Sequence, residues 1–342
     1  MLLKYITEAA GVAGDEYEVR DVIREELKDH DLDIKTDILG NLIVSSKEEL
    51  EGPKIMIAAH MDEIGMMIMS IDNSGLLKFR PVGGIDPKVL VAKTVVVGKE
   101  KLPGVIGSKA IHLQRPEERQ VPLPMEALYI DIGAKNKEEA EKYVKVGDFA
   151  VFDTKYEEFG DGYAKAKAFD DRIGCAVLLE VLKEKYYIPV YGVFTVSEEI
   201  GLRGAGVAAY TVAPDIGIAL EGTLAHDVTD MDDHLVSSKL RHGPVLTYID
   251  LSVISDKKLV ALAAQTAEAN DIPYQYRNVM AGGNDSGKIN QSRGGVPTIE
   301  IAVPTRYVHS PVSVIHLDDF ANTVKLVKAL IHSIESGGYE IK

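Results

Sequence analysis

The chain has 342 residues, enough for one large domain or two ordinary ones, and 46% of them are hydrophobic against 27% charged, the balance of a soluble globular protein. With 38 basic and 53 acidic residues the net charge is −15, which argues against nucleic acid and anionic membrane as partners. No apolar run approaches the ~20 residues of a membrane helix, and the single Cys175 leaves neither an intrachain disulfide nor a thiolate metal site.

The opening MLLKYITEAAGVAG carries Lys4 and Glu8 early and reads as a helix, not a signal peptide, so a cytoplasmic protein is expected. A second helix, DEYEVRDVIREELKDH, leads to strands LDIKT and NLIVSS and then to PKIMIAA, a buried strand. From residue 64 to about 160 the texture changes to short β-rich pieces (MMIMSID, LLKFRPV, KTVVVGK, GVIGS, ALYIDIG, DFAVFDT) broken by turns at Asn73-Ser74-Gly75, Gly83-Gly84 and Pro103-Gly104. NKEEAEKYV is the one helical hint there, and LQRPEERQVPLP, with three prolines, is expected as a mobile loop.

Past residue 160 strands and amphipathic helices alternate: DRIGCAVLLEVLKEKY, PVYGVFTV, RGAGVAAY, DIGIALE, DKKLVALAAQTAEAND, PYQYRNV, DSGKINQS, VPTIEIAV and LDDFANTVKLVKALIHSI. That alternation predicts an α/β fold, a doubly wound and mostly parallel sheet covered on both faces. The division expected is a discontinuous catalytic domain, residues 1–63 plus 161–342, interrupted by a small β-rich domain, residues 64–160. Cys175 falls on an apolar helix face and reads as core.

In open α/β sheets the functional crevice lies beyond the carboxyl ends of the strands. His60 and Asp62 follow PKIMIAA, Glu198 and Glu199 follow VYGVFTV, Glu221 ends DIGIAL, and His309 stands beyond VPTIEIAV. Asp170-Asp171 opens the helix after the insert. Each piece has an ordinary reading by itself: a satisfied histidine, solvated acids, a helix cap. Convergence at four strand ends is harder to explain that way. So many acids in one crevice repel unless cations neutralise them. Imidazole nitrogen with carboxylate oxygen suits zinc, cobalt or manganese, in a pair of ions if a carboxylate bridges them.

The stretches AHMDEIG, AFDDRIG, TVSEEIGLRGA, GIALEGT, GGNDSG and VPTRYVHSP together resemble the M42 metallo-aminopeptidases, co-catalytic zinc peptidases that form tetrahedral assemblies. The resemblance spans most of the chain in order and puts the β insert where that family keeps its dimerisation domain. It implies one metal on His60 and Glu221, a second on Glu199 and His309, and Asp170 bridging them. It further implies Glu198 as general base toward the attacking water, and Asp62 as the carboxylate that orients His60. Many relatives carry Asp at the place of Glu221, so the extra methylene leaves its ligation geometry open. The implied activity is removal of N-terminal residues from unblocked peptides by a homo-oligomer, a dodecamer built from dimers.

GGNDSG brings Gly283 and Asn284 to the expected substrate pocket, although the same residues make good turn chemistry. Arg306 is equally suited to touch substrate or to pair with a local acid. His226, His234, His242 and His316 lie outside the matching motifs and read as surface or structural. Two competing functions remain, an endoglucanase-like glycoside hydrolase and a non-catalytic peptide-binding or assembly module. The first gives the two histidines no task, and against the second no matched ligand position is lost.

Overall fold

The computed structural model describes residues 1–342 except 122, 229–231, 233, 234, 281 and 342. Helices α1 (Leu2–Glu8) and α2 (Tyr17–Leu27) precede the antiparallel pair β1 (Leu32–Thr36) and β2 (Leu42–Ser46) and the fully buried β3 (Ile55–His60). Next come β4 (Gly65–Ile71), β5 (Leu77–Val82), β6 (Thr94–Val97), β7 (Leu102–Gly107), β8 (Tyr129–Asp131), the one-turn α3 (Lys137–Ala140) and β9 (Phe149–Phe152). These six strands close into a barrel in the order β4-β5-β8-β7-β6-β9. A hairpin, β10 (Glu157–Phe159) and β11 (Tyr163–Ala166), leads to α4 (Phe169–Leu182), β12 (Val190–Thr195), α5 (Arg203–Val212) and β13 (Ile216–Leu224). The chain continues through β14 (Val245–Thr247), α6 (Lys257–Ala269), β15 (Gln275–Tyr276), α7 (Asp285–Asn290), β16 (Thr298–Thr305), β17 (Ser313–His316) and α8 (Leu317–Glu335).

Eight strands form one mixed sheet, β1-β2-β12-β3-β13-β16-β14-β15, whose four central strands β12, β3, β13 and β16 are parallel. Those four are the most continuously apolar, as strands covered on both faces must be. Toward the flanks the direction reverses, because β2 and β14 run antiparallel to β12 and β16.

The two-residue period decides which face each side chain takes. Ile55, Ile57 and Ala59, with Ile216, Ile218, Leu220, Ile299, Ile301 and Val303, join the larger core under α1, α2, α4, α6 and α8. Met56 and Ala58 face the other way, into a smaller cluster with Ala205, Ala208 and Ala209 of α5 and Ile289 of α7. His60, Glu221 and Glu300 fall on that second face by the same alternation.

The barrel has its own core, built around Met66, Ile68, Leu77, Val95, Ile106, Ile130 and Phe152. It ends at Phe152, short of residue 160, because β10 and β11 turn back to pair with β17 in a separate small sheet. In the stretch expected to be a mobile loop, residues 113–124, the described residues hold the end of a short turn, Ile111–Leu113, and a second turn over residues 116–119, with no strand or α-helix, and residue 122 lies outside them. Among the described residues no helix is long and apolar enough to cross a membrane.

Candidate metal centre

Each donor reaches the rim for a local reason. His60 closes β3: its N–H donates to Asp171 Oδ2 at 3.0 Å, and its carbonyl accepts from the buried Cys175 thiol at 3.1 Å, locking the strand end against α4. The Nδ1 of His60 lies 2.9 Å from the Asp62 carbonyl oxygen, an arrangement that turns Nε2 toward the cleft. Asp170 and Asp171 open α4 with non-helical backbone angles. Gly222, next to Glu221, allows the Asp170 backbone to lie against β13. A Cβ there would stand 2.9 Å from the Phe169 carbonyl oxygen and 3.1 Å from the Asp170 Cα.

Glu198 and Glu199 follow β12, and the two oxygens of Asp62 accept their N–H groups at 3.0 Å each. His309 follows β16 in the left-handed region, φ 57°. Its Nδ1 lies 2.9 Å from the carbonyl oxygen of Gly84, in the loop after β5. The neighbouring Gly83 has φ +85°, and a Cβ on it would come within 2.8 Å of Ile64 and 3.2 Å of the Glu199 carboxylate. Only glycine fits that approach.

From these supports the donors converge. His60 Nε2 is 3.2 Å from Asp170 Oδ1 and 3.6 Å from Glu221 Oε2. His309 Nε2 is 3.5 Å from Asp170 Oδ2 and 3.4 Å from Glu199 Oε2. Among the described residues two triads, His60–Asp170–Glu221 and Asp170–Glu199–His309, each keep their ligand atoms within 4.8 Å of one another. Asp170 belongs to both, one oxygen to each histidine. Glu198 belongs to neither; its Oε2 is 3.9 Å from His60 Nε2.

The electrostatics are those of a site built around positive charge. Burial, reinforced by Asp285, Glu199 and Asp170 and opposed by His60, pushes the Glu198 carboxyl up to about 9. Burial with Asp170 pushes Glu199 up to about 7, and burial with Asp171 takes Glu221 well above the usual range. Asp170 moves the other way: burial would raise it, but hydrogen bonds with His309 and His60 hold it below the usual range. His309 rises to about 9, chiefly through Asp170, and His60 rises despite burial through Glu198 and Asp170. Acids this close keep protons among them unless cations take their place.

The cleft over the triads encloses about 640 Å³, and Gly283 and Asn284 line it as expected, with Leu251, Arg277 and Glu300. The structure adds detail to three expectations. Arg306 makes a two-bond fork with Asp227, 2.7 and 2.8 Å, and takes the local acid as its partner, not a substrate. Asp62 meets the His60 ring through its backbone carbonyl, 2.9 Å from Nδ1, and through its carboxylate, 3.6 Å from the same nitrogen, whose oxygens also accept the Glu198 and Glu199 amides. The insert is also not separable from the site, since Gly84 holds His309.

Among the other histidines, His316 caps α8 and reaches the Asp161 carbonyl, and His242 turns to the Leu240 carbonyl; His226 bonds to Ser238 through its backbone, and His234 lies outside the described residues. Sequence reasoning missed Asp171, taken as a helix-start acid, and Asp285, whose Oδ2 takes the Thr195 hydroxyl at 2.5 Å and whose charge presses on Glu198. Asp171 could have been suspected from its adjacency to Asp170; nothing in GGNDSG marks Asp285.

The M42 glutamyl aminopeptidase family profile matches residues 40–326, which include every donor of both triads. The chain belongs to the M42 family. Among M42 relatives, the lysyl aminopeptidase of Pyrococcus furiosus is 34% identical over 342 residues, with 98% of this chain and 97% of that one covered. Among solved structures, a TET aminopeptidase from the marine sediment archaeon Thaumarchaeota archaeon SCGC AB-539-E09 matches with a TM-score of 0.93 at 37% identity, covering 96% of this chain and 94% of the other. The TET1 peptidase of Pyrococcus horikoshii, which can assemble into a tetrahedron or a large octahedral shell, matches with a TM-score of 0.85 at 36% identity, covering 96% and 98%. An M42 chain with this full donor set is an aminopeptidase, and the glycoside-hydrolase and binding-module readings are set aside.

Proposed function

We propose that this aminopeptidase releases single residues from the free N-termini of peptides using two divalent cations, zinc, cobalt or manganese, per subunit. His60, Asp170 and Glu221 would hold one ion and Asp170, Glu199 and His309 the other. The observation that carries this reading is Asp170, whose two oxygens face the two histidines from the shared corner of both triads. The donor chemistry fits: neutral imidazole and carboxylate oxygen with no thiolate nearby suit those ions, and the protons held by the acid cluster are what a cation would displace.

Bound there, the ions supply Lewis-acid polarisation of the peptide carbonyl and acidify a water. The chain's own residues do the rest. Glu198, outside both triads with its Oε2 3.9 Å from His60 Nε2, takes a proton from the attacking water and passes it to the departing amine. Asp62 fixes the backbone from which that base projects, through the two amide hydrogen bonds. The acidic rim attracts the substrate's α-ammonium, which sets the first carbonyl against the reacting water. Gly283 and Asn284 stand along the wall that the first side chain would follow.

Residues 1–63 with 161–342 serve catalysis in this reading, and residues 64–160 serve dimerisation. Exposed Val105, Ile111, Leu113 and Val121 on the insert support an interface role. A dimer on every edge of a tetrahedron makes a dodecamer, and a tetrahedral assembly is recorded for the Pyrococcus horikoshii protein. A cytoplasmic location suits such a peptidase. The test pairs chelation with acetylation: removing the metal should abolish turnover and restoring it should recover activity, while N-acetylated peptides should survive where free ones shorten one residue at a time. Internal cleavage products in mass spectra, or full activity in metal-free protein, would overturn the reading.

A further inference from the structure

Strand β12 ends at Thr195, and the four backbone N–H groups that follow have left the sheet. Buried amides need acceptors, and each of these four finds a side-chain oxygen. Val196 donates to Asn41 Oδ1 at 3.0 Å and Ser197 to Glu16 Oε1 at 3.3 Å. Glu198 and Glu199 donate to the two oxygens of Asp62 at 3.0 Å each. The segment that carries Glu198 and Glu199 thus rests on side chains from three separate places: the start of α2, the turn between β1 and β2, and the residue pair after β3.

Asn41 does more than accept one bond. The antiparallel register of β2 with β12 pairs Leu42 with Phe194, which brings Asn41 level with the point where the chain leaves the sheet. Its Nδ2 donates to the Gly204 carbonyl at 3.1 Å, so one amide spans both ends of the loop 196–204. Those ends also bond to each other, Gly204 N–H to the Val196 carbonyl at 3.0 Å. A Cβ on residue 204 would stand 2.3 Å from Asn41 Oδ1, so glycine is what lets the clamp close. Asp37 fixes which way the amide points, because a carboxylate can only accept: its Oδ2 takes Asn41 Nδ2 at 2.6 Å, while its Oδ1 takes the N–H groups of Leu39, Gly40 and Asn41. Asn41 and Glu16 are both buried. Neither is among the described residues that line the cleft or form the triads, so both act through the loop and not on the substrate.

We propose that Asn41 and Glu16 are positioning residues for the peptidase reaction: they set the backbone from which Glu198 reaches the attacking water and Glu199 reaches its cation position. The inference rests on the reading of Glu198 as the base. A base must stand within hydrogen-bond reach of the proton it takes, and a misplacement of ~1 Å can cost about 10²-fold in rate. Asp62 holds two consecutive amides and leaves the loop free to pivot about them. The bonds at Val196 and Ser197 on one side and at Gly204 on the other remove that freedom. The same loop supplies Glu199 to one triad, whereas the triad His60–Asp170–Glu221 takes nothing from it.

The experiment measures kcat, KM and cation binding for Asn41→Ala, Glu16→Ala and Glu16→Gln in the full-length protein. At saturating metal, Asn41→Ala should lower kcat by roughly 10–10²-fold, the effect of a displaced base, and leave KM nearly unchanged. In competition with a chelator, one cation equivalent should bind more weakly, on the Glu199 side, and the other as in the parent. Glu16→Ala, which stands in if Asn41→Ala does not fold, should show the same pattern to a smaller extent. Glu16→Gln should recover the lost kcat, because its amide oxygen still accepts from Ser197 without the charge. An unchanged kcat in both alanine variants, a change confined to KM, or no recovery in Glu16→Gln overturns the assignment. Loss of both cation equivalents in step with activity would mark a merely structural role and overturn it too. Parent-like turnover in Glu198→Gln would sink the base reading, and this assignment with it.

Discussion

Asp170 and Glu198 stand within one cleft, and the proposed mechanism gives them separable tasks. Asp170 places one oxygen by each histidine, so Asp170→Asn removes charge from both cation positions at once. Elemental analysis of that variant should show both equivalents lost or much weakened. Glu198→Gln leaves both triads whole, so it should keep its metal while kcat falls by roughly 10²–10⁴, the usual worth of a positioned acid or base. Metal loss in Glu198→Gln, or full metal retention in Asp170→Asn, would reverse these roles. His60, Glu199, Glu221 and His309 were legible in the sequence because each stands at or beyond the end of an apolar run, where chain direction alone brings it to the crevice. Asp170, at the start of α4, and the sorting into two triads came from the family resemblance. The direction of a side chain was not legible. Spacing does not say that the Asp62 carboxylate turns to the Glu198 and Glu199 amides, nor that Arg306 finds Asp227, 79 residues earlier in the chain.

Elements, too, are held by groups that motif reading passed over. Glu63 follows the HMD of the first motif, yet its carboxylate is buried under the site, 2.6 Å from Lys167 Nζ and 3.0 Å from Arg172 Nη2. Arg172, with no exposed surface, also donates to the carbonyls of Ile6, Ala9 and Met61. One cluster thus ties the segment after α1 to the end of β3 and the start of α4. One carboxylate serves two buried cations, and removing it leaves both without an acid partner in the cluster. Glu63→Gln should cost about 3–5 kcal/mol, read in thermal unfolding as a fall of roughly 5–10 °C. An unchanged transition would show that water or rearrangement replaces the carboxylate. The long elements were legible: the central strands are near-continuous apolar runs, and α4, α6 and α8 repeat at helical spacing. The hairpin β10–β11 and strands β14 and β17 were not, because three or four residues carry too little period to separate strand from loop.

At the scale of the molecule, the barrel is what distinguishes this chain from a bare α/β peptidase. A closed barrel has no free strand edge, so it cannot recruit a partner by extending a sheet. Whatever it binds must meet its side chains. Val91, Ile111 and Val121 line one shallow depression on its surface, with Lys109, Glu118 and Arg119 around them, an apolar centre with a charged rim. Ile111 is 69% exposed and Val121 62%, a cost in water that a second subunit would remove. The native protein should therefore run in light scattering as a large homo-oligomer. Ile111→Glu with Val121→Glu places two charges where that contact would have to dry out, and should shift the protein to smaller species while its circular dichroism stays native. The barrel loop also carries Gly84, which holds His309, so a partner that steadies the barrel steadies one of the proposed ligands. Metal content measured on the dissociated variant tests that link: it should fall on weakening of the His309 side, whereas a native protein that is monomeric and fully active would leave the barrel without an assembly role.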